Sequence, residues 1–486
     1  MNKDISNLEP KVLWKHFHTL TQIPRPSKYE DAIQDYMMKF GQDLGFETIK
    51  DEVGNVIIKK PATAGMENRK GVILQGHLDI VPQKNSDKVH NFATDPIEAF
   101  IDGDWVTANG TTLGADNGMG VAAAMAVLEA KDLVHGPIEA LFTADEETGM
   151  TGAFGLKNDV LDGDILLNID SEDEGELYIG CAGGIDATAV FEYKEAQVAE
   201  GMAAYKLMVK GLKGGHSGID IPLGRGNSNK IMFRFLKKAS KEYGVRISRI
   251  VGGSLRNAIP RETFVNLVLP EGNASGFEQE VEHFEEIVKK ELSSVEPDFS
   301  FIFKEIDTPD SVIDEKTQNS LIHAVYACPN GVMRMSNDME GLVETSTNLA
   351  IVKSGNFKIE VQSLLRSSVE TSKNDLKEMI DSVFTLAGAE IIFDGAYPGW
   401  KPNPNSEILD SMKEVYNKKW GRVPEIRAIH AGLECGLLGA VYPKWDMISF
   451  GPTIRHPHSP DEKVNIETVG KFWEYLVETL KSIPAK

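Results

Sequence analysis

The sequence is poor in cysteine and in basic residues, and it lacks any long hydrophobic run. Its 486 residues include only three cysteines, with no Cys-x-x-Cys pair, which predicts reduced thiols rather than a disulfide framework. Lys plus Arg number 51 against 73 Asp plus Glu, and the net charge of −22 argues against nucleic acid or an anionic membrane as a partner. No apolar signal region opens the chain, and no stretch of about 18 uncharged apolar residues occurs. We therefore expect a soluble, cytoplasmic protein.

The length of the chain predicts two domains, because single cores rarely grow beyond about 250–300 residues. Helical and strand patterns alternate in the first third and return after Trp400, whereas an α+β mixture lies between them. We expect one α/β domain made of residues 1–185 and 397–486, interrupted by an inserted domain of residues 186–396. Locally, Ser27 and Glu30 have the spacing of a capping box that opens an amphipathic helix.

Histidine and carboxylate side chains, which are common metal ligands, follow several apolar runs. These runs are typical of buried parallel strands. Residues 71–75 precede His77, residues 138–143 precede the Glu146-Glu147 pair, residues 164–169 precede Asp170, and residues 447–450 precede the loop with His458. The carboxyl ends of parallel strands meet at one edge of a sheet, so these side chains are expected to lie together.

The chemistry explains why so many acidic side chains are needed. A catalytic Zn²⁺ takes nitrogen and oxygen ligands and keeps one position for water. Two ions about 3.5–4 Å apart can share one carboxylate, and a further carboxylate must stay free to accept the proton of that water. The adjacent glutamates could divide these two tasks. Asp79 follows His77 by two residues and is expected to accept its second ring N–H. The pattern is that of a two-zinc hydrolase.

Three other functions fit parts of the sequence. Gly118, Gly120 and Ala123 match a Gly-x-Gly-x-x-Ala dinucleotide signature, but no convincing strand precedes them and Asp116 lies beside them. The segment around Ser217 misses the Gly-x-Ser-x-Gly elbow of serine hydrolases by one position. A protein that only buffers metal would explain the acids but not a carboxylate that is free to act as a base.

The order of these motifs and the residues in them resemble those of the co-catalytic zinc aminopeptidase-like family of aminoacylases, carboxypeptidases and dipeptidases. The resemblance runs along the whole chain, and residues 60–68, 181–186 and 429–436 are its most specific strings. The shorter motifs that carry it are His77-Leu78-Asp79, Gly114-Ala115-Asp116-Asn117-Gly118, Glu146-Glu147, Asp170-Ser171-Glu172 and His458-Ser459-Pro460-Asp461-Glu462.

The resemblance implies a role for each of these residues. Asp116 would bridge two Zn²⁺ ions, one held also by His77 and Asp170 and the other by Glu147 and His458. Glu146 would be the general base, and Asp79 would orient His77. His456 departs from the expected pattern, but the Ser-Pro-Asp-Glu that follows His458 favours His458 as the ligand. Co²⁺ or Mn²⁺ tolerates the same donors as Zn²⁺.

The resemblance also implies a fold, a substrate and an assembly. The fold would be a zinc-exopeptidase-like domain with a mostly parallel central sheet and an inserted α+β lid, through which a homodimer would form. His216 would reach the substrate carbonyl, and Asn257, Arg366 and Gly432 would hold its carboxylate. The expected reaction is hydrolysis of dipeptides, including those with C-terminal histidine such as β-alanyl-histidine. The alternative is removal of an N-acyl group from an amino acid at the same two metals.

Overall fold

The computed structural model, which describes residues 4–486, places the chain in two units. Unit 1 comprises the N-terminal segment up to Gly180 together with Pro402–Ala428 and Leu433–Lys486. Unit 2 comprises Cys181–Lys401 and Ile429–Gly432. It therefore begins at Cys181 where the sequence suggested residue 186, and the short segment Ile429–Gly432 groups with it. The lid and dimerisation roles of the inserted domain stay predictions.

Unit 1 is built on an eight-stranded sheet whose middle strands are parallel. Strand Val72–His77 lies between Ile138–Thr143 and Ile165–Asn168, and Asp446–Ser449 follows Ile165–Asn168, each pair being parallel. Outside these four, the pairs with resolved register are antiparallel. The full strand order is Glu47–Lys50, Val56–Lys60, Ile138–Thr143, Val72–His77, Ile165–Asn168, Asp446–Ser449, Glu176–Cys181 and Glu425–Ile429.

The four parallel strands are buried along almost their whole length, as their apolar composition predicts. Helix Ala115–Glu129 is nearly all apolar and is buried on every side, whereas Lys11–Thr21 and Ile466–Lys481 each bury one face. The other helices of unit 1 are Asp31–Asp43, Glu146–Gly149, Thr151–Gly155, Glu407–Trp420 and Glu434–Val441. A small sheet in the order Ile454–Arg455, Lys463–Asn465, Trp105–Ala108 and Ala99–Asp102 completes the unit.

Unit 2 is an α+β body built on a nine-stranded antiparallel sheet. Its helices are Ser228–Tyr243, Ala274–Glu291, Glu315–Ala327 and Glu370–Leu386, and their apolar faces share one core with the sheet. The main strand order is Ser300–Glu305, Met202–Lys210, Thr263–Pro270, Arg246–Gly252, Val343–Gly355, Lys358–Ser367, Gly183–Glu192 and Glu390–Tyr397, with Gly331–Met335 paired to Val343–Gly355. Short strands pair Glu195–Gln197 with Ser311–Ile313 and Gly215–His216 with Ala258–Ile259.

The α/β class with an inserted α+β body is confirmed. Across residues 4–486, none of the helices combines the length and the apolar character that a membrane crossing requires.

The aromatic core of unit 2 makes a direct stability prediction. Phe235 is buried, and its ring centre lies 4.9 Å from that of Phe301, 5.2 Å from Phe284 and 5.8 Å from Phe277. Phe235→Ala should lower the free energy of unfolding by about 3–5 kcal/mol, because it removes transfer energy and leaves a cavity. Urea unfolding followed by circular dichroism measures the loss. Phe357→Ala, at a side chain that is 59% exposed, is the control; equal losses in the two variants would contradict the proposed packing.

Candidate metal centre

The five predicted ligands lie together at the carboxyl edge of the unit 1 sheet. The ring nitrogen Nε2 of His77 is 3.0 Å from Asp116 Oδ1 and 3.5 Å from Asp170 Oδ1. On the other side, His458 Nε2 is 3.3 Å from Asp116 Oδ2 and 3.0 Å from Glu147 Oε2. The two oxygens of Asp116 therefore face different histidines.

The backbone explains how separate segments reach this point. His77 ends its strand in register with Thr143, and Asp170 comes two residues after the strand Ile165–Asn168. Asp145 and His458 have φ values of 52° and 58°, so the chain turns sharply just before the glutamate pair and at His458 itself. Four of the five ligands therefore follow a strand end or a tight turn, and Asp116 lies in the first turn of helix Ala115–Glu129.

Burial and the nearness of like charges make it unfavourable for all the carboxyl groups of this cluster to be ionised together. Burial, with Glu434, Glu147 and Asp116 nearby, raises the pKa of Glu146 to about 8. Burial, followed by the charges of Asp116 and Glu146, also holds the pKa of Asp170 well above its ordinary value. Asp116 behaves differently, because hydrogen bonds from His458 and His77 outweigh its burial and lower its pKa.

The donor set fits divalent cations. His77, Asp116 and Asp170 form one group that could hold a metal ion, and Asp116, Glu147 and His458 form another. Within residues 4–486, the buried Oδ1 of Asp170 has no hydrogen-bond partner, and it lies 3.5 Å from His77 Nε2 at the cluster. Nitrogen and oxygen donors at this spacing suit Zn²⁺, and a cation would offset the repulsion between the carboxylates. His456 belongs to none of the groups found among the described residues and is exposed.

Asp79 lies behind the cluster and contacts two ligand segments at once. Its Oδ1 is 3.3 Å from His77 Nδ1 and accepts the Glu146 backbone N–H at 3.0 Å. Its Oδ2 accepts the backbone N–H of Glu147 at 3.2 Å and the hydroxyl of Ser27 at 2.7 Å. Although burial opposes them, these contacts lower the pKa of Asp79 to about 2. Asp79 thus stays ionised beside the ring of His77.

The capping box expected at Ser27 and Glu30 is wrong. A box with Ser27 as N-cap implies a helix that starts at Lys28, but the helix is Asp31–Asp43, and no side chain caps its N-terminus. The Ser27 hydroxyl donates to Asp79 instead, and Glu30 Oε2 accepts the backbone N–H of Asp145 at 3.1 Å. Both residues therefore support the turn that carries the glutamate pair.

The four predicted substrate-binding residues lie close together within unit 2. His216 Nδ1 accepts the backbone N–H groups of Gly218 and Ile219 at 3.2 Å and 3.1 Å, which leaves Nε2 as the proton donor of the neutral ring. The backbone N–H of Ser217 donates to Asn257 O, and Arg366 Nε donates to the Ser217 hydroxyl at 3.4 Å. Burial, followed by the charge of Arg366, lowers the pKa of His216.

Two side chains that sequence reasoning missed complete this group. Arg366 Nη1 donates to Tyr397 Oη at 3.0 Å, and a Cβ added at Gly432 would meet the same tyrosine ring at 3.1 Å. His430 Nε2 lies 2.7 Å from the Ser346 hydroxyl. His430 lies in residues 429–436, one of the strings most specific to the family resemblance, and could have been found from it. No local sequence pattern marks Tyr397.

Comparison with known proteins identifies the family. A family model described as peptidase family M20/M25/M40 matches residues 73–482. The chain belongs to this family. The cytosol non-specific dipeptidase of Escherichia coli (strain K12) is 47% identical over 483 residues, which cover 99% of this chain and 100% of that protein. The family resemblance seen in the sequence is thereby confirmed.

Solved structures extend the likeness to the fold. The crystal structure of aminoacylhistidine dipeptidase from Vibrio alginolyticus is 51% identical, covers 100% of this chain and 99% of its own, and superposes with a TM-score of 0.96. The aminopeptidase PepT from Bacillus cereus is 16% identical over 98% of this chain and 99% of its own, with a TM-score of 0.58, and shares the fold.

The geometry of Asp116 predicts that it governs metal binding as a whole. Loss of a residue that only hydrogen-bonds to a metal ligand typically weakens metal binding by about 10–100-fold. Asp116 is the predicted ligand of both ions, so Asp116→Asn should weaken the binding of divalent metal by more than about 100-fold. Equilibrium dialysis in chelator-buffered zinc, followed by elemental analysis, measures the change. Asp102→Asn alters an exposed aspartate of the same unit and should bind like the wild type. Unchanged binding in Asp116→Asn would contradict the assignment.

Proposed function

We propose that this protein is a metal-dependent dipeptidase that cleaves dipeptides, including those with C-terminal histidine such as β-alanyl-histidine. The observation that carries the proposal is the convergence of His77, Asp116 and Glu147 with Asp170 and His458, in a chain that matches dipeptidases over its whole length. The names of the Escherichia coli and Vibrio alginolyticus relatives favour peptide bonds over N-acyl groups as the target.

The proposed cofactor is a pair of Zn²⁺ ions that share Asp116. His77 and Asp170 would complete one site, and Glu147 and His458 the other, while Co²⁺ or Mn²⁺ could substitute. When bound, the ions would polarise the scissile carbonyl and make water acidic enough to lose a proton near neutral pH.

Glu146 is the proposed general base. It lies beside the proposed ligand Glu147 and forms a group with His77 and Glu147, but it belongs to neither of the two groups that contain Asp116. Burial and the neighbouring carboxylates make its carboxylate a strong proton acceptor, since they raise its pKa to about 8. Asp79 accepts the backbone N–H groups of both glutamates and so supports the turn from which their side chains extend. Glu146 would take the proton of the attacking water and return it to the leaving amine.

The residues of unit 2 are proposed to hold the substrate. Arg366 would pair with the terminal carboxylate, with Asn257 and the backbone at Gly432 as further partners. His216, whose Nε2 carries the proton, would donate to the carbonyl oxygen as negative charge develops there. We further infer that the chain forms a homodimer through residues 186–396, which light scattering of the purified protein would test. A cytoplasmic location is proposed from the name of the Escherichia coli relative.

Glu146→Gln tests the base directly. It should lower kcat by about 10²–10⁴-fold toward β-alanyl-histidine and ordinary dipeptides, because the proton acceptor is lost while size is kept. Metal content should stay at the wild-type level. The assay uses protein stripped with chelator and then restored with Zn²⁺, and it includes N-acetyl amino acids.

One control and two outcomes decide how the Glu146→Gln assay is interpreted. The control is Glu52→Gln, which changes an exposed glutamate and should behave like the wild type. Cleavage of N-acetyl amino acids alone would move the chain to the deacylases. Full activity in Glu146→Gln would remove Glu146 from the mechanism.

Arg366→Lys tests recognition of the substrate carboxylate. Lysine keeps the charge but loses the fork geometry, so KM should rise about 10-fold or more for dipeptides, in line with a charged hydrogen bond of about 1.5–3 kcal/mol. Dipeptide amides, which lack the carboxylate, should change little. Arg249→Lys, at an exposed position of the same unit, is the control. An equal effect on acids and amides would contradict the carboxylate assignment.

A further inference from the structure

Glu462 makes an unusual set of contacts with the segment that carries Asp116. Its Oε2 accepts the backbone N–H groups of Leu113 and Gly114 at 2.7 Å and 2.9 Å. Its Oε1 accepts those of Ala115 and Asp116 at 2.7 Å and 3.2 Å. Four consecutive amides thus converge on one carboxylate that is only 2% exposed. The last of them belongs to the residue that faces both histidines.

The backbone of Glu462 is itself fixed. Its N–H donates to Ser459 O at 3.0 Å, and its carbonyl oxygen accepts the Thr107 hydroxyl at 2.7 Å. The strand Lys463–Asn465 starts at the next residue and pairs with Trp105–Ala108. Gly114 has φ 71°, the left-handed conformation that helps successive N–H groups to point the same way. Glu462 follows His458 by four residues, so it joins the His458 loop to the Asp116 segment.

Arg25 makes the matching link on the other side. Its Nη2 donates to Gly114 O at 2.8 Å, and its Nη1 donates to Leu78 O at 2.8 Å. Leu78 lies directly after His77, so Arg25 joins the His77 loop to the Asp116 segment. Arg25 is only 2% exposed, and a Cβ added at Gly118 would come within 2.6 Å of its Nη2. The small residue at 118 therefore leaves room for the guanidinium.

We propose that Glu462 and Arg25 are positioning residues that set the spacing of the metal ligands around Asp116. Glu462 fixes Asp116 relative to His458, and Arg25 fixes it relative to His77. Neither side chain belongs to a metal-holding group found among the described residues. Their role is to hold three loops in register, because the groups of a binding or catalytic site must stay within about 0.5 Å of their working geometry. This inference rests on the proposed metal-dependent function.

The test compares Glu462→Gln and Glu462→Asp with the wild type. Gln places an N–H₂ group against backbone donors, and Asp keeps the charge but shortens the reach by one methylene. Zinc affinity, measured by equilibrium dialysis in chelator-buffered zinc, should fall about 10–100-fold in Glu462→Gln and less in Glu462→Asp. In β-alanyl-histidine hydrolysis, kcat should fall while KM changes little. Arg25→Lys should act in the same direction as Glu462→Gln.

The control is Glu467→Gln, at a solvent-exposed glutamate whose side chain is 75% accessible; it should keep wild-type zinc affinity and kcat. If the variants at positions 462 and 25 melt at lower temperature but bind zinc as the wild type does, the positioning role is overturned. If Glu462→Gln does not fold, wild-type zinc affinity in both Glu462→Asp and Arg25→Lys overturns it as well. A wild-type protein that binds no zinc would instead remove the proposed function.

Discussion

Repulsion between buried carboxylates is the constraint on which the rest of this structure depends. Asp116, Asp170 and Glu146 are grouped with Glu147 at one edge of a sheet, where two like charges 4 Å apart cost about 4 kcal/mol at an effective dielectric constant of 20. Burial, followed by the charges of neighbouring carboxylates, raises the pKa values of Asp170 and Glu146. A chain that keeps these groups together needs a rigid support and compensating positive charge. The parallel strands supply the support, and the nitrogen and oxygen donors form groups that could hold metal ions.

Much of the fold could be predicted because buried parallel strands leave a strong local signal. The apolar runs before His77, Glu146 and Asp170 correspond to strands that end beside one another. Strand direction at the sheet edges leaves no such signal, so the antiparallel pairing of Val56–Lys60 with Ile138–Thr143 was not predicted. The grouping of Ile429–Gly432 with unit 2 likewise depends on contacts with segments far away in the sequence.

The site shows the same division between local and distant information. Each predicted metal ligand lies next to a strand or a glycine turn, so its position could be predicted from the residues beside it in the sequence. Ser27 and Glu30 have the spacing of a helix cap, yet their partners are Asp79 and the Asp145 amide. Arg25 belongs to no recognisable sequence motif. Glu462 is marked in the sequence only as the last residue of the motif that begins at His458. Residues that act by holding other residues are defined by distant contacts, and local patterns do not encode these.

Asp79 connects these observations into one argument about the two adjacent glutamates. Neighbouring residues with the same side chain can perform different tasks only if the backbone directs them differently. The two oxygens of Asp79 accept the N–H groups of Glu146 and Glu147 separately, and one of them also faces the ring of His77. One carboxylate therefore accepts the backbone N–H groups of both glutamates and lies 3.3 Å from the ring of His77, whose Nδ1 is also 3.1 Å from the Asp79 carbonyl oxygen. Asp79 thus links the backbone of both glutamates to the segment of His77, a set of contacts broader than the single contact with His77 that the sequence predicts.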